Sequence, residues 1–168
     1  WWAHIGWIFK GTAQIQPEAV MTRYSPDLMK ERPLRVMNDY YWLSSVLAGV
    51  VCFAIGGWTM VMWAVGLRTV IGWHTTWLVN SWTHTWGSRR FETRDTSTNS
   101  FLIAAVTFGE GWHNNHHAYP RSARHGLTWK EFDINWIQIK AMEKLGLATE
   151  IYAYDLNAKE ETTLRKAA

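Results

Sequence analysis

Between residues 40 and 88 the chain carries one permanently ionised side chain, Arg68. Two uncharged runs, 40–67 and 69–88, flank it. About 20 apolar residues suffice for a helix to cross the hydrocarbon layer of a bilayer, so each run is long enough to span. Gly49, Gly56 and Gly57 are poor residues for a soluble helix, yet small side chains let membrane helices approach closely. Tyr40, Tyr41 and Trp42 mark one membrane interface and Trp63 the other. The pattern predicts a transmembrane helical hairpin over about 40–88 with its tip at Arg68. Lys30, Arg32 and Arg35 precede it and Arg89, Arg90 and Arg94 follow it, which places both ends on the cytoplasmic side.

Thirteen tryptophans in 168 residues fit a protein that works where acyl chains meet headgroups. Cys52 is the single cysteine, which excludes an internal disulfide and a thiolate metal site. A net charge of +3, with no basic run interleaved with aromatics, gives no sign of nucleic acid binding. The chain opens Trp-Trp without an initiator methionine, and we expect that its true beginning lies upstream. Residues 1–11 are apolar but too short to span, as in the end of an interfacial helix that packs His4 among tryptophans. Residues 12–39 are polar and broken by Pro17, Pro26 and Pro33.

The chemistry concentrates in residues 109–120, Gly-Glu-Gly-Trp-His-Asn-Asn-His-His-Ala-Tyr-Pro. His113, His116 and His117 stand at i, i+3 and i+4, so on a helix the three imidazoles share a face and project toward one point. Imidazole suits iron, zinc and copper. Pro120 ends the helix. In the second uncharged run Asn80 and His84 lie one helical turn apart on the face of Trp73 and Trp77. An ionisable group there is a candidate fourth ligand, and Asn80 a group to hold a metal-bound water or orient a neighbour; helix–helix hydrogen bonding is the competing reading. His74 stands ten residues before His84, about 15 Å along a helix, too far to join the same site. Glu110, one turn before His113, either accepts a proton from a ligand's ring nitrogen and so fixes its tautomer, or is a surface carboxylate.

Residues 101–108 are apolar but short, as expected of a segment buried in a cytoplasmic cap rather than spanning. Arg121, Arg124 and His125 suit a headgroup, a phosphate, an acidic electron donor or a plain solvated loop. Thr128-Trp129-Lys130-Glu131 matches a capping box. It predicts an amphipathic helix bearing Trp129, Phe132, Trp136, Ile139 and Met142, stopped at Gly146.

Taken together, Trp73-His74-Thr75-Thr76-Trp77-Leu78-Val79-Asn80-Ser81, His84 and Gly109-Glu110-Gly111-Trp112-His113-Asn114-Asn115-His116-His117 resemble the membrane fatty acid desaturases. The likeness is strongest to the Δ9-type acyl-lipid and acyl-CoA branch of cyanobacteria and plants, and it extends to about residue 151. His113, His116 and His117 match the third histidine box, and His84 with Asn80 the N-x-x-x-H motif. The first and second boxes of that family are absent, so the chain resembles its C-terminal part. The resemblance implies an all-α membrane protein, a transmembrane helical hairpin plus a cytoplasmic helical cap (about 89–151) carrying a histidine-rich di-iron half-site. It implies His84, His113, His116 and His117 as metal ligands and Asn80 as a water-mediated partner. Residues 152–168 would be a tail beyond a domain covering 1–151.

For the complete protein it implies a multi-pass membrane enzyme with two non-haem iron ions on the cytoplasmic face. With O2 and electrons from ferredoxin or cytochrome b5, it would place a cis double bond, Δ9 by resemblance, in a saturated acyl-lipid or acyl-CoA. Two other readings stay open: a membrane di-iron hydroxylase or ketolase, and a metal-binding membrane segment without catalysis. The chain by itself is expected to hold at most one metal ion and to be inactive.

Overall fold

The computed structural model describes residues 1–10, 18–154 and 156. Pro17 and most of the predicted tail lie outside the described residues. The chain divides into two compact units, Trp1–His74 and Thr75–Ala168.

In the first unit a π-helical turn, Trp2–Gly6, runs into α1 (Trp7–Phe9). α2 (Glu18–Tyr24), a 3-10 turn at Leu28–Lys30 and α3 (Arg32–Asp39) follow. Pro33 sits in the first turn of α3, where its missing N–H costs nothing. His4 and His74, each read from sequence as isolated, meet in this unit, with His4 Nε2 3.1 Å from His74 Nδ1.

α4 (Tyr41–Val61) passes through a π-helical stretch, Met62–Leu67, into α5 (Arg68–Trp82). Tyr41–Trp82 is thus 42 residues of helix, long and apolar enough to cross a membrane, and its most apolar window is unburied. The expected tip at Arg68 is not a turn: Arg68 has φ −56° and ψ −43°, ordinary helix. Helical geometry lapses instead at Gly56 (φ −146°, ψ 23°) and Gly57 (φ 61°, ψ −156°). Only glycine adopts the second of these without strain, whereas a lone arginine imposes no backbone constraint. Charge pattern located a boundary in hydropathy, and the backbone breaks where a side chain is missing.

The second unit is built on polar packing. α5 ends at Trp82, before His84, because the next residues turn their bonding elsewhere. Thr83 and Thr85 hydroxyls bond back to the carbonyls of Val79 and Ser81, and Thr98 N–H and hydroxyl both donate to the Thr83 carbonyl. Such side-chain bonds compete with helix propagation. His84 therefore lies in a turn rather than one helical turn above Asn80, and Asn80 itself is exposed. Extended residue Asn99 bridges Ser88 on one side and Trp112 on the other.

α6 (Phe101–Val106), capped by the Ser100 hydroxyl, buries Ile103 and Ala104, and α7 (His113–Ala118) is the predicted histidine turn. Gly111 lies so close to the first turn of α6 that an added Cβ would strike the Ala104 backbone. The capping-box expectation fails: Glu131 accepts from Thr128 N–H at 2.9 Å, but this closes a turn, not a helix. Asp133 is the true cap, its Oδ1 accepting Trp136 N–H at 2.9 Å at the start of α8 (Ile134–Lys144). Gly146 is the predicted stop, at φ 70°, with Gly146 N–H on the Glu143 carbonyl and Leu147 N–H on that of Met142.

Candidate metal centre

The side chains that hold α7 come from within the histidine box itself. Asn114 and Asn115 are essentially inaccessible to solvent, on the face of α7 away from the ligands. Asn114 Oδ1 accepts the Arg90 and Phe91 N–H groups at 2.9 and 2.8 Å, and its Nδ2 donates to the Phe91 carbonyl at 3.0 Å. Asn115 Oδ1 accepts from Asn99 Nδ2 at 2.8 Å, and its Nδ2 donates to the His125 carbonyl at 2.9 Å. Each buried carboxamide is satisfied and ties the helix to a loop, so the histidines stand on a fixed platform. Arg90 adds an ion pair with the buried Glu131 carboxylate at 2.7 Å.

On this platform His113 and His117 meet His84. His113 Nε2 lies 3.1 Å from His84 Nε2 and 3.0 Å from His117 Nε2. The three ligand atoms all lie within 4.8 Å of one another. Nitrogens bound at about 2.1 Å to one ion stand about 3.0–3.4 Å apart, which the His84–His113 and His113–His117 separations match. Hydrogen bonding does not account for the arrangement as well, since a single proton on His113 Nε2 cannot serve both neighbours.

The donors also have the required protonation and support. Burial first, then His117, His84, His116 and His125, hold the His113 imidazole down to about 3, so it is neutral and free to ligate. Asp95 Oδ2 lies 2.5 Å from His117 Nδ1. A proton held on that nitrogen leaves Nε2 for a metal, the carboxylate–histidine–metal pattern. Asp95 remains ionised because Ser97 and Thr93 hydrogen-bond its carboxylate and hold it far below the ordinary carboxylate range. The donor set thus fits a borderline divalent ion of the kind that imidazole binds.

The predicted residues do not all converge. His116 leaves the group, and its ring faces His125 at 4.6 Å between centroids rather than the point shared by His84, His113 and His117. Spacing gives the three histidines a shared face but leaves each ring its own rotamer, and the His116 ring packs on His125. Burial, then His125 and His117, lowers the His116 imidazole as well. Glu110 serves His125, not His113, with Oε2 3.7 Å from His125 Nδ1 and Oε1 accepting from Asn135 Nδ2 at 3.0 Å. Asp95, Asn99, Asn114 and Asn115 went unread as site residues, and His125 was read only as suited to a headgroup, a phosphate, an acidic donor or a solvated loop, whereas it packs on His116. The two asparagines inside the box carried a signal, since carboxamides opposite a ligand face need partners; Asp95 in a charged turn carried none.

A family model for fatty acid desaturases matches residues 1–140. The chain is 44% identical over 151 residues to an sn-1 stearoyl-lipid 9-desaturase of Synechocystis sp., covering 90% of this chain and 46% of that protein. It is 40% identical over 155 residues to an sn-1 stearoyl-lipid 9-desaturase of Anabaena variabilis, covering 92% of this chain and 56% of the relative. An acyl-CoA C20 Delta5-desaturase of Anemone leveillei is 42% identical over 153 residues, 90% of this chain and 48% of its own length. The chain therefore spans about half the length of these relatives. Histidine box, packed asparagines and sequence likeness across most of the chain agree, and the chain belongs to the fatty acid desaturase family.

Proposed function

We propose that this chain is the C-terminal catalytic part of a membrane acyl desaturase, and that His84, His113 and His117 hold one iron of a non-haem di-iron centre. The observation that carries the reading is the Nε2 cluster at 3.0–3.1 Å, backed by Asp95, in a member of the desaturase family. Bound iron would supply the O2-dependent oxidation that removes two hydrogens from an unactivated acyl chain and leaves a cis double bond. The protein's own part is positional. Asp95 keeps the proton of His117 on Nδ1, burial keeps His113 neutral, and the two asparagines fix the spacing of the rings. Asn80 and His116 belong to the same reading, Asn80 through a water and His116 toward the second metal position.

The names of the relatives favour a saturated acyl chain esterified in a lipid and a double bond at position 9, with acyl-CoA the alternative carrier. Ferredoxin or cytochrome b5 would deliver the electrons. We place the metal centre on the cytoplasmic face of a multi-pass protein, in a cap of residues 89–151 following the hairpin. If straight, 42 helical residues measure about 63 Å, twice the hydrocarbon thickness, which supports two crossings rather than one. Gly56–Gly57 offers the break such a reversal needs.

The experiment is to express the complete protein in membranes with a reductant and its carrier and to analyse lipids by mass. Loss of two hydrogens from a saturated chain is expected; gain of oxygen would instead assign a hydroxylase. Residues 1–168 alone are expected to hold at most one metal, among His84, His113 and His117, and to give no unsaturated product.

A further inference from the structure

Just past the histidine turn, two phenol rings lie face to face. Tyr119 and Tyr154 stack with ring centroids 3.5 Å apart and planes 14° from parallel. The Tyr119 hydroxyl donates to the Tyr154 hydroxyl at 2.9 Å. Neutral aromatic rings disfavour this arrangement, because the negative faces of their quadrupoles repel, and they prefer offset or edge-on packing. The neighbouring Phe91 shows the preferred form, edge-on to Tyr119 at 5.2 Å and 88°.

Backbone hydrogen bonds hold both members of the pair. Tyr119 closes α7, its N–H shared by the Asn115 and His116 carbonyls at 3.0 and 3.1 Å. Residues 152–154 run beside the loop that follows. Ala123 N–H donates to the Tyr152 carbonyl at 2.9 Å, and Tyr154 N–H to Ser122 Oγ at 3.1 Å. Phe91 is fixed in turn by the Asn114 carboxamide, which bonds both its N–H and its carbonyl. The pair also lies close to the metal centre: His117 and Tyr119 are two residues apart, so their Cα atoms are separated by at most about 7.6 Å.

A cofacial pair that is unfavourable when neutral becomes favourable once an electron is removed, because the two π-systems share the electron deficiency. A fixed geometry that fits one state better than another stabilises that state. A phenol that loses an electron must also shed its hydroxyl proton, and the Tyr154 oxygen stands at hydrogen-bonding distance to take it. We infer that Tyr119 and Tyr154 form a redox-active pair that draws one oxidising equivalent away from the metal centre when no acyl chain is present to consume it. This rests on the desaturase reading, in which O2 is the oxidant. Tyr119 gives up one electron, which reduces the oxidised centre by one, and its O–H bond breaks. The proton forms a new O–H bond on Tyr154, whose own proton leaves to water, and Tyr119 remains as a neutral phenoxyl radical. The reduced carrier protein later returns the electron and water the proton.

The test uses the complete protein purified in detergent, with iron measured per polypeptide. Reduced protein is mixed with O2 in the absence of acyl substrate, frozen, and examined by electron paramagnetic resonance. A tyrosyl radical is expected, identified by the change in its hyperfine pattern when the protein carries ring-deuterated tyrosine. Tyr119→Phe with Tyr154→Phe keeps both rings and removes both hydroxyls, so the double variant should lose the signal while retaining its iron. It should also accumulate more oxidised histidine at His113 and His117, read by peptide mass spectrometry. An iron-loaded wild type without the radical, or an undiminished radical in the double variant, would overturn the inference and leave the desaturase reading intact. A wild-type protein without iron would overturn that reading, and this inference with it.

Discussion

Asp95 and His117 show what one carboxylate does for a ligand. The Oδ2–Nδ1 contact of 2.5 Å selects the tautomer, so Asp95→Asn should weaken metal binding about 10–100-fold while leaving the fold in place. Metal titration of the purified variant, followed alongside its circular dichroism, checks both halves of that statement. His113 makes a different prediction, for metal-free protein. Its native imidazole stays neutral down to about 3, against 6.5 when unshifted. Between those values the unfolded chain binds the extra proton, so stability falls as pH drops from about 6.5 toward 3, by at most about 1.4 kcal/mol per pH unit from this group. Chelator-treated protein should melt lower at about pH 5 than at about pH 7, and His113→Gln should flatten that difference. An equal pH dependence in the variant would assign the effect elsewhere. At this scale His84, His113 and His117 were legible because their chemistry is in the residue type. Asp95 was not, because its contact with His117 depends on a loop folding back over 22 residues.

The element that matters most is α7, and its stability lies in what it touches. Six residues of helix cannot persist on propensity alone. Asn115→Ala would leave Asn99 Nδ2 and the His125 carbonyl without their partner, at about 1–3 kcal/mol for each group left unpaired. The variant should lower the melting temperature and lose metal together, whereas Asp95→Asn should lose metal alone. Gly111→Ala should be at least as damaging, since its methyl would strike the Ala104 backbone at the start of α6. Thermal melts of both variants against an exposed control, Trp129→Ala, decide the point. Histidine spacing identified α7, and the glycine itself the later stop at Gly146, because each rests on local chemistry, whereas residues 101–108, read as a buried segment, contain α6 with Phe101, Leu102 and Val106 exposed. Sequence pattern misplaced the start of α8, since Thr128 and Asp133 both carry plausible caps and only tertiary bonds to His125 and Gly126 select Asp133. It also carried α5 past Trp82, because threonine back-bonding leaves no trace in hydropathy.

At the scale of the whole molecule, the chain combines 42 helical residues, whose most apolar window is unburied, with a second unit whose buried side chains are mostly polar. The first suits lipid, and the second suits a metal site that must be held rigid by hydrogen bonds rather than by apolar packing. Hydropathy made the first legible; the second appeared in sequence only as a histidine pattern, since a polar core has no periodic signature. The metal assignment rests on His84, His113 and His117. The most direct measurement is the iron content of the complete purified protein beside His117→Ala. About two irons per wild-type polypeptide are expected, with loss of about one in the variant while it still inserts in membranes and elutes as a single species. Equal iron in the two proteins, with activity retained in His117→Ala, would contradict it.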